Sequence, residues 1–207
     1  MFFLYGAGGH AKVILDILQA QGVRVDCVCD DNLAGTEFCG LSVVCRMNVS
    51  AGTAIVSIGK NDIRRKIVEM LKSRGNVSFA TAIHPSAIIS PSAKLGAGTV
   101  VMPGALINAG TEIGEHAIVN TGASIDHDCA IGDFVHVAPH ATLCGNVSIG
   151  NNAWIGAGVT IIQGVSVGEN AFVGAGSVVI KDVPANAVVV GVPAKILKFT
   201  PPPYTQL

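Results

Sequence analysis

The sequence predicts a parallel β-helix preceded by a smaller α/β domain. Every sixth residue from Ile83 to Val179 is Leu, Ile or Val, without interruption. The residue two positions before each of them is small or β-branched, and Cys129 fills one of these positions. Because side chains two apart in a strand share a face, the aliphatic and the small residue point inward together.

A longer period lies within this hexad pattern. An aliphatic-Gly pair begins at positions spaced 18 residues apart: Leu95, Ile113, Ile131, Ile149 and Val167. Three hexads therefore make one coil, with Gly or Asn at corners that need a positive φ. About five such coils, each roughly 4.8 Å high, would give a prism about 25 Å long. This pattern predicts a left-handed β-helix over residues 83–207.

The first 82 residues predict a Rossmann-like α/β domain. Strands are expected over residues 2–5, 23–29 and 54–58, with helices after the first and third and a helix end near Gly22. The second helix is expected over residues 63–74. The helical positions predicted to face inward are Val13, Ile14, Ile17, Leu18, Ile67, Val68 and Leu71.

A glycine-rich turn follows the first strand. Residues 6–11 read GAGGHA, which fits G-x-G-x-x-[GA], and Asp30 and Asp31 follow about 20 residues on. An equally good interpretation is a strand-to-helix turn in which glycine permits close packing. However, this turn, the acid pair and Gly59 all follow strand ends, where open α/β sheets bind ligands. A domain this short suits a mononucleotide or nucleotide-sugar better than NAD.

The C-terminal part of the chain leaves the hexad register after Val179. Residues 181–200 are predicted to cap the last coil, as solenoids require. The tail at residues 201–203, three prolines, is expected to be loosely packed.

Composition excludes several classes of partner. Half of the residues are hydrophobic and the mean hydropathy is +0.55, yet no run reaches the 18 apolar residues of a membrane span. A net charge of −1 without a basic block makes nucleic-acid or anionic-membrane partners unexpected. Six cysteines without a CxxC, and no visible signal peptide, predict reduced thiols in a cytoplasmic protein.

One outward face of the predicted prism is apolar and aromatic. Its outward column, one residue per coil, comprises Val100, Ile118, His136, Trp154 and Phe172. Exposed patches of this kind usually mark an interface, so we predict a homotrimer in which identical prisms bury this face. The alternative is that the N-terminal domain folds back over it.

One predicted corner concentrates acid and imidazole groups. Asp126, His127 and Asp128 are consecutive there, whereas the positions equivalent to His127 in adjacent coils are Ala109 and Gly145. The fold therefore does not require this histidine. An imidazole between two carboxylates has a raised pKa and a fixed tautomer, which suits a general base. The alternative is an exposed corner histidine with ordinary solvated neighbours.

Other histidines raise the question of zinc. His116, His136 and His140 invite comparison with the three-histidine sites of γ-class carbonic anhydrases, but their spacing is shorter than in that family. We expect no metal. His140 breaks a column of corner glycines and is interpreted as a tolerated turn residue.

Several motifs together resemble the PglD/NeuD family. They are GAGGH at residues 6–10, DD at 30–31, IGKN at 58–61, NTGASIDHDC at 120–129 and GVPAK at 191–195. The similarity covers nearly the whole chain, and the last motif alone would indicate only a hexapeptide acyltransferase. Members of this family are bacterial acetyl-CoA-dependent acetyltransferases that act on nucleotide-activated amino sugars or on sialic acid.

The resemblance implies roles for individual residues. His127 would be the base, and Asp128 would raise its basicity. Positions matching acetyl-CoA contacts are His136, Gly145, Ala157 and Ala175, and those matching the nucleotide-sugar site are Gly8, Gly9, His10, Asp30, Asp31 and Gly59. Two departures stand out. Asp128 replaces a Glu, which would lengthen its contact with His127, and His140 replaces a Gly, which would narrow the groove for the cofactor.

The implied activity is N-acetylation of the 4-amino group of a UDP- or dTDP-linked 4-amino-4,6-dideoxysugar. The product would serve bacterial surface glycan, lipopolysaccharide or glycoprotein biosynthesis, and acetyl-CoA would be the cosubstrate. O-acetylation of sialic acid is an alternative, since the same base would serve an alcohol. A noncatalytic scaffold that binds a nucleotide-sugar is an alternative from another class.

Overall fold

The computed structural model describes residues 1–201 and places an α/β unit against the side of a β-helix. The N-terminal elements are β1 (Phe2–Tyr5), α1 (Gly9–Ala20), β2 (Cys27–Cys29), β3 (Glu37–Phe38), β4 (Leu41–Val44), a 3₁₀ turn (Arg46–Asn48), β5 (Gly52–Val56), α2 (Asn61–Ser73) and β6 (Val77–Phe79). The strands form one sheet in the order β3-β4-β2-β1-β5-β6, which is parallel apart from the β3-β4 hairpin.

The α/β unit is held by two apolar clusters on opposite sides of this sheet. Helix α1 buries Ile14, Ile17 and Leu18 on one side, and α2 buries Val68 and Leu71 on the other. The predicted helices are confirmed. The predicted strand over residues 23–29 is shorter, because pairing with β1 begins only at residue 27. The β3-β4 hairpin was not predicted.

The chain then winds through three faces of short parallel strands. The first face stacks β7 (Ala82–Ile83), β10 (Val100–Val101), β13 (Ile118–Val119), β16 (His136–Val137), β19 (Trp154–Ile155) and β22 (Phe172–Val173). The second stacks β8 (Ile88–Ile89), β11 (Leu106–Ile107), β14 (Ser124–Ile125), β17 (Thr142–Leu143), β20 (Thr160–Ile161) and β23 (Val178–Val179). The third stacks β9 (Lys94–Leu95), β12 (Glu112–Ile113), β15 (Ala130–Ile131), β18 (Ser148–Ile149) and β21 (Ser166–Val167).

This arrangement confirms the predicted β-helix. The hexad aliphatic is the second residue of each of these strands, and partners in adjacent coils are 18 residues apart, as in Val119 with Val137. Both side chains are fully buried in the prism core. Beyond the coils, β24 (Ala187–Val190) stacks on β22, and β25 (Lys195–Phe199) pairs with β24 in the antiparallel sense. Residues 202–207, including two of the tail prolines, lie outside the described range.

We number each corner by the face that precedes it, so the first corner joins the first face to the second. Each corner carries a column of residues with positive φ. At the third corner three asparagines form a ladder, in which Asn152 Nδ2 donates to Asn170 Oδ1 (2.9 Å) and Asn170 Nδ2 donates to Asn186 Oδ1 (3.2 Å). Asparagine tolerates the left-handed region better than most residues, so its side chain serves both the turn and the stack.

The α/β unit covers the first face of the β-helix. Val100 and Ile118 are each 1% exposed, and Val100 packs in the same cluster as Ile14 of α1. The prediction that this face forms the trimer interface is therefore wrong for these coils, and the fold-back alternative is correct. Near the C-terminal end Phe172 remains 44% exposed. The periodic pattern predicted that this face is buried, but it did not indicate which part of the protein covers it.

No helix within residues 1–201 is both long and apolar enough to cross a bilayer. All six cysteines are free thiols.

Candidate active site

His127 lies at the second corner, between β14 and β15. Asp126 Oδ1 accepts hydrogen bonds from the His127 backbone N–H (2.8 Å) and from Asn108 Nδ2 (2.9 Å). Asp128 has a φ of +57°, and its Oδ2 lies 2.9 Å from His127 Nδ1. One carboxylate thus fixes the backbone of the corner, and the other fixes the imidazole.

This contact defines the chemistry of His127. An ionised carboxylate is an acceptor, so Nδ1 carries the proton and the Nε2 lone pair is free. The hydrogen bond with Asp128, and then the charge of Asp126, raise the pKa of His127. The His127 side chain is 59% exposed, which leaves Nε2 accessible. The shorter acid still reaches the imidazole, since the two groups are within ordinary hydrogen-bond distance.

Gly145 lies directly beside His127, one coil further along the axis. A Cβ at this position would lie 2.7 Å from both Cε1 and Nε2 of the imidazole. Glycine therefore allows the ring to rest against the backbone. Within residues 1–201 the Gly145 N–H donates to no other group, which makes it a candidate donor beside His127.

The glycine turn of the α/β unit faces open space. An added Cβ at Gly8, Gly9 or Gly59 would meet no atom within 4 Å, whereas one at Gly6 would lie 2.8 Å from Ile58 Cγ1. Close packing thus explains Gly6 and not the other three. Helix α1 starts without a side-chain cap or an acidic residue in its first turn. The first-turn N–H groups suit an anion such as a phosphate.

The acid pair lies at the same edge of the sheet, as predicted. The two Asp30 oxygens accept hydrogen bonds from the backbone N–H groups of Ala7 and Asn32, both at 3.0 Å. Asp31 Oδ2 lies 3.2 Å from Arg46 Nε, and the Arg46 backbone N–H is the first cause of the lowered pKa of Asp31. Both acids therefore order the loops around the glycine turn.

His10 and His136 meet where the α/β unit contacts the solenoid. His136 is 5% exposed, and its Nδ1 lies 3.2 Å from Gly59 O while its Nε2 lies 3.0 Å from Asn120 Nδ2. Burial, and then the charge of Arg64, lower the pKa of His136 to about 3 and that of His10 to about 4. Both rings are therefore neutral at physiological pH. His10 Nε2 is buried without a partner among the described residues.

Comparison with known proteins places this arrangement in a family. Residues 2–71 match the PglD N-terminal domain, and residues 146–181 match the bacterial transferase hexapeptide (six repeats). A Caulobacter crescentus structure of PerB in complex with CoA and GDP-perosamine is 41% identical, with a TM-score of 0.90 over 95% of this chain and 97% of that chain. The chain belongs to the PglD-type family of hexapeptide-repeat sugar acetyltransferases. The prediction from its motifs is confirmed.

Two further members of the family extend the comparison. The acetyltransferase domain of PglB from Neisseria gonorrhoeae, in complex with acetyl coenzyme A, is 38% identical, with a TM-score of 0.89 over 95% of this chain and 98% of that chain. UDP-N-acetylbacillosamine N-acetyltransferase of Bacillus subtilis is 39% identical over 104 residues. That match spans 46% of this chain and about half of the curated relative, 48% of its length.

The residues predicted to contact acetyl-CoA are split between two corners. Gly145 lies with His127 at the second corner, whereas Ala157 and Ala175 lie at the first corner, beyond β19 and β22. His136 lies on the strand that enters the first corner, and both its ring nitrogens are already engaged within the chain. The second face separates the two groups, so one prism does not bring them together.

The remaining histidines do not form a metal site. His116 is 1% exposed, with its ring 4.6 Å from that of Phe79 and 5.2 Å from that of Phe134, between centroids. Within residues 1–201 no group of three His, Cys, Asp or Glu side chains is placed to hold a metal ion. His140 is exposed at the first corner with a φ of +57°, and its ring lies against Gly122.

Sequence reasoning missed the parts played by Arg64 and Asn120. Arg64 was assigned no role, and Asn120 appeared only as part of a longer motif. A signal was present for Asn120, since it is polar in a corner column whose later members are Ala138, Gly156 and Gly174 and whose preceding member is Met102. The same kind of break in a column singled out His127. Helical spacing offered a signal for Arg64, which precedes the predicted inward residues Ile67, Val68 and Leu71 by three, four and seven positions.

Proposed function

We propose that this protein transfers the acetyl group of acetyl-CoA to the 4-amino group of a nucleotide-linked 4-amino-4,6-dideoxysugar. The observation that carries the proposal is the His127–Asp128 pair, an exposed imidazole with a free Nε2 and a proton held on Nδ1. Two relatives support the substrate class: one is named a UDP-N-acetylbacillosamine N-acetyltransferase, and the other is bound to CoA and GDP-perosamine. The candidate acceptors therefore include GDP-linked sugars as well as UDP- and dTDP-linked sugars.

The geometry supports direct transfer with general-base catalysis. The neutral sugar amine attacks the thioester carbonyl, and His127 Nε2 takes the amine proton as the C–N bond forms. The N–H of Gly145, the residue packed against this ring, would donate to the developing oxyanion. When the C–S bond breaks, the proton passes from His127 to the departing CoA sulfur. A base of this kind typically contributes about 100-fold to 10,000-fold in rate.

The two substrates would meet the chain in different places. We assign the nucleotide-sugar to the open edge formed by Gly8, Gly9, His10 and Gly59, with Asp30 and Asp31 ordering the adjacent loops. We assign acetyl-CoA to Gly145 at one corner and to Ala157 and Ala175 at another, and His136 would contact it through its backbone or ring face. In this proposal residues 1–82 form the nucleotide-sugar domain and residues 83–207 form the acetyltransferase domain.

Because these groups lie at different corners, we propose a homotrimer whose sites form between neighbouring prisms. The second face is the surface we assign to this contact, since its outward residues are uncharged: Ile88, Leu106, Ser124, Thr142, Thr160 and Val178. Ile88 is 68% exposed in the protomer. The third face is less suitable, because it carries the exposed Lys94–Glu112 ion pair (2.7 Å). A cytoplasmic location, where the six thiols stay reduced, completes the proposal.

The activity is tested with a panel of UDP-, dTDP- and GDP-linked 4-amino-4,6-dideoxysugars and acetyl-CoA, with release of free CoA thiol as the readout. We expect turnover with at least one acceptor, and a loss of about 100-fold or more in His127→Ala. Sialic acid in the same panel tests O-acetylation. If the wild type releases no CoA with any acceptor but binds a nucleotide-sugar, the protein is a scaffold and the catalytic proposal fails.

A further inference from the structure

Arg64 of α2 is the most completely bonded side chain at the contact between the α/β unit and the solenoid. It is 1% exposed, and each of the five N–H donors of its guanidinium group is used. The acceptors are His116 O from Nε (2.9 Å), Ile58 O and Gly59 O from Nη1 (both 3.0 Å), and Asn61 Oδ1 and Phe134 O from Nη2 (3.0 and 2.7 Å). All five acceptors are neutral.

These acceptors come from both parts of the chain. Ile58 and Gly59 belong to the turn that leaves β5 and Asn61 begins α2, whereas His116 and Phe134 occupy the third corner in successive coils. A buried cation is costly unless its donors are satisfied, so the guanidinium tolerates little movement of this turn relative to the solenoid. Arg64 therefore sets the position of the turn.

Gly59 connects this arrangement to the first corner. Its carbonyl accepts from Arg64 Nη1 (3.0 Å) and also faces His136 Nδ1 at 3.2 Å. A carbonyl oxygen cannot donate, so His136 carries its proton on Nδ1, and Nε2 accepts from Asn120 Nδ2 (3.0 Å). Asn120 is held in this orientation because its Oδ1 accepts from the Thr121 backbone N–H (2.8 Å).

We propose that Arg64 is a positioning residue for the acceptor, holding the Gly59 edge of the nucleotide-sugar pocket in register with the first corner through Gly59 and His136. Because all five of its donors are engaged within the chain, it has none left for a substrate. The inference rests on the proposed function for the identity of the pocket. The position of the Gly59 edge relative to the first corner matters because a displacement of about 1 Å can cost about 100-fold in rate.

Electrostatics gives independent support for this connection. The charge of Arg64 is the second cause, after burial, of the lowered pKa of both His10 and His136. The three groups are thus close enough to influence one another. His136 also feels His10, while its hydrogen bond with Gly59 acts in the opposite direction. Burial lowers the pKa of Arg64 to about 9, and the charge of Asp62 acts in the opposite direction.

The kinetic test compares Arg64→Gln and Arg64→Lys with Lys66→Gln, an exposed position on the same helix. Both Gln variants remove one positive charge from α2. We expect both Arg64 variants to lower kcat/KM for the acceptor by about 100-fold, with KM for acetyl-CoA within about twofold of wild type. Arg64→Lys should not rescue, since an ammonium group has three donors and no planar fork. Lys66→Gln should behave as wild type.

The proposal is overturned if the acceptor and acetyl-CoA constants worsen together in proportion to the unfolded fraction, or if neither changes. Should the Arg64 variants not fold, Asn120→Ala retains the guanidinium contacts and frees His136 Nε2. We expect it to weaken the acceptor KM and to mix the two His136 tautomers, as read from ¹⁵N-histidine NMR. An Asn120→Ala protein unchanged in both respects refutes the inference, as does a wild type in which His136 carries its proton on Nε2.

Calorimetric binding of UDP and GDP separates this inference from the proposed function, because it needs no turnover. A wild type that binds a nucleotide but acetylates nothing disproves the proposed activity. Loss of that binding in Arg64→Gln, but not in Lys66→Gln, would still support positioning. A wild type that binds neither nucleotide and acetylates no acceptor overturns both.

Discussion

At the scale of single residues, the ionisation of His127 should control the rate. The ring accepts a proton only when neutral, and Asp128 raises its pKa above the ordinary value of 6.5. We therefore expect kcat/KM to rise with pH and to level off above the raised pKa. Asp128→Asn should move this inflection to lower pH, towards 6.5, and lower the plateau, as measured by a pH–rate profile with saturating acetyl-CoA.

Asp128→Glu is the control for this experiment, because it keeps the charge while changing the reach of the carboxylate. We expect its inflection to stay above that of Asp128→Asn. If Asp128→Asn and wild type have the same inflection, the carboxylate does not set the basicity of His127 and its role is structural. The comparison also tests whether the left-handed backbone at Asp128, with a φ of +57°, accepts the longer side chain of Glu.

Gly145 offers a second residue-level prediction. In Gly145→Ala the new Cβ would lie 2.7 Å from His127 Cε1 and Nε2, so the ring must move and kcat should fall about 10-fold to 100-fold. Ala109 occupies the equivalent corner position in an earlier coil, so the backbone accepts a Cβ there. Equilibrium urea unfolding of Gly145→Ala in the His127→Ala background should match that of His127→Ala alone. A fully active Gly145→Ala enzyme would contradict the proposed ring position.

At the scale of elements, the asparagine ladder at the third corner stabilises the C-terminal coils. Asn170→Gly removes its two side-chain hydrogen bonds, each worth about 1 kcal/mol, while keeping the positive φ at no steric cost. Asn170→Ala loses the same bonds and adds a left-handed residue, at a further cost of about 1 kcal/mol. In urea unfolding, the free energy of unfolding should therefore be highest for the wild type, lower for Asn170→Gly and lowest for Asn170→Ala. The reverse order for the two variants would show that φ is not the constraint.

The coils also show which elements the sequence could predict. A β-helix repeats its inward residues, so 18-residue spacing determined the strands and their register from Ile83 to Val179. The β3-β4 hairpin has no such repetition: its short strands carry few buried side chains, and Val43 is buried whereas Glu37 and Ser42 are exposed. Its existence depends on pairing with β2, a tertiary contact that no local pattern encodes.

At the scale of the whole molecule, the sequence determined less. Breaks in the corner columns singled out His127 and indicated its two carboxylates, but they did not show how the faces are covered. An outward column of apolar and aromatic residues, such as Ile118, His136 and Trp154, is expected at any buried surface, whether an attached domain or another copy of the chain covers it. The choice depends on contacts made by single polar residues, above all the buried Arg64, whose environment has no signature in a repeat.

The oligomeric state of the whole molecule can be tested by experiment. A homotrimer predicts a mass of about 63 kDa by light scattering, three times the 21.1 kDa chain. Complementation tests whether sites are shared. His127→Ala lacks the base at the second corner, and Ala157→Trp should block the groove at the first corner, so each homotrimer is inactive. In an equal, random mixture of the two, a site forms wherever an intact second corner meets an intact first corner.

For cyclic trimers this arrangement gives one working site in about three quarters of the assemblies, and so about a quarter of wild-type activity. The proteins are mixed by co-expression with different affinity tags, and the doubly tagged fraction is assayed for CoA release. If each site were contained in one prism, no mixture would recover activity, because every protomer would carry one defect. In the doubly tagged fraction every trimer is mixed and has one working site of three, so recovery near a third of wild-type activity would establish both the trimer and the division of the site between the first and second corners.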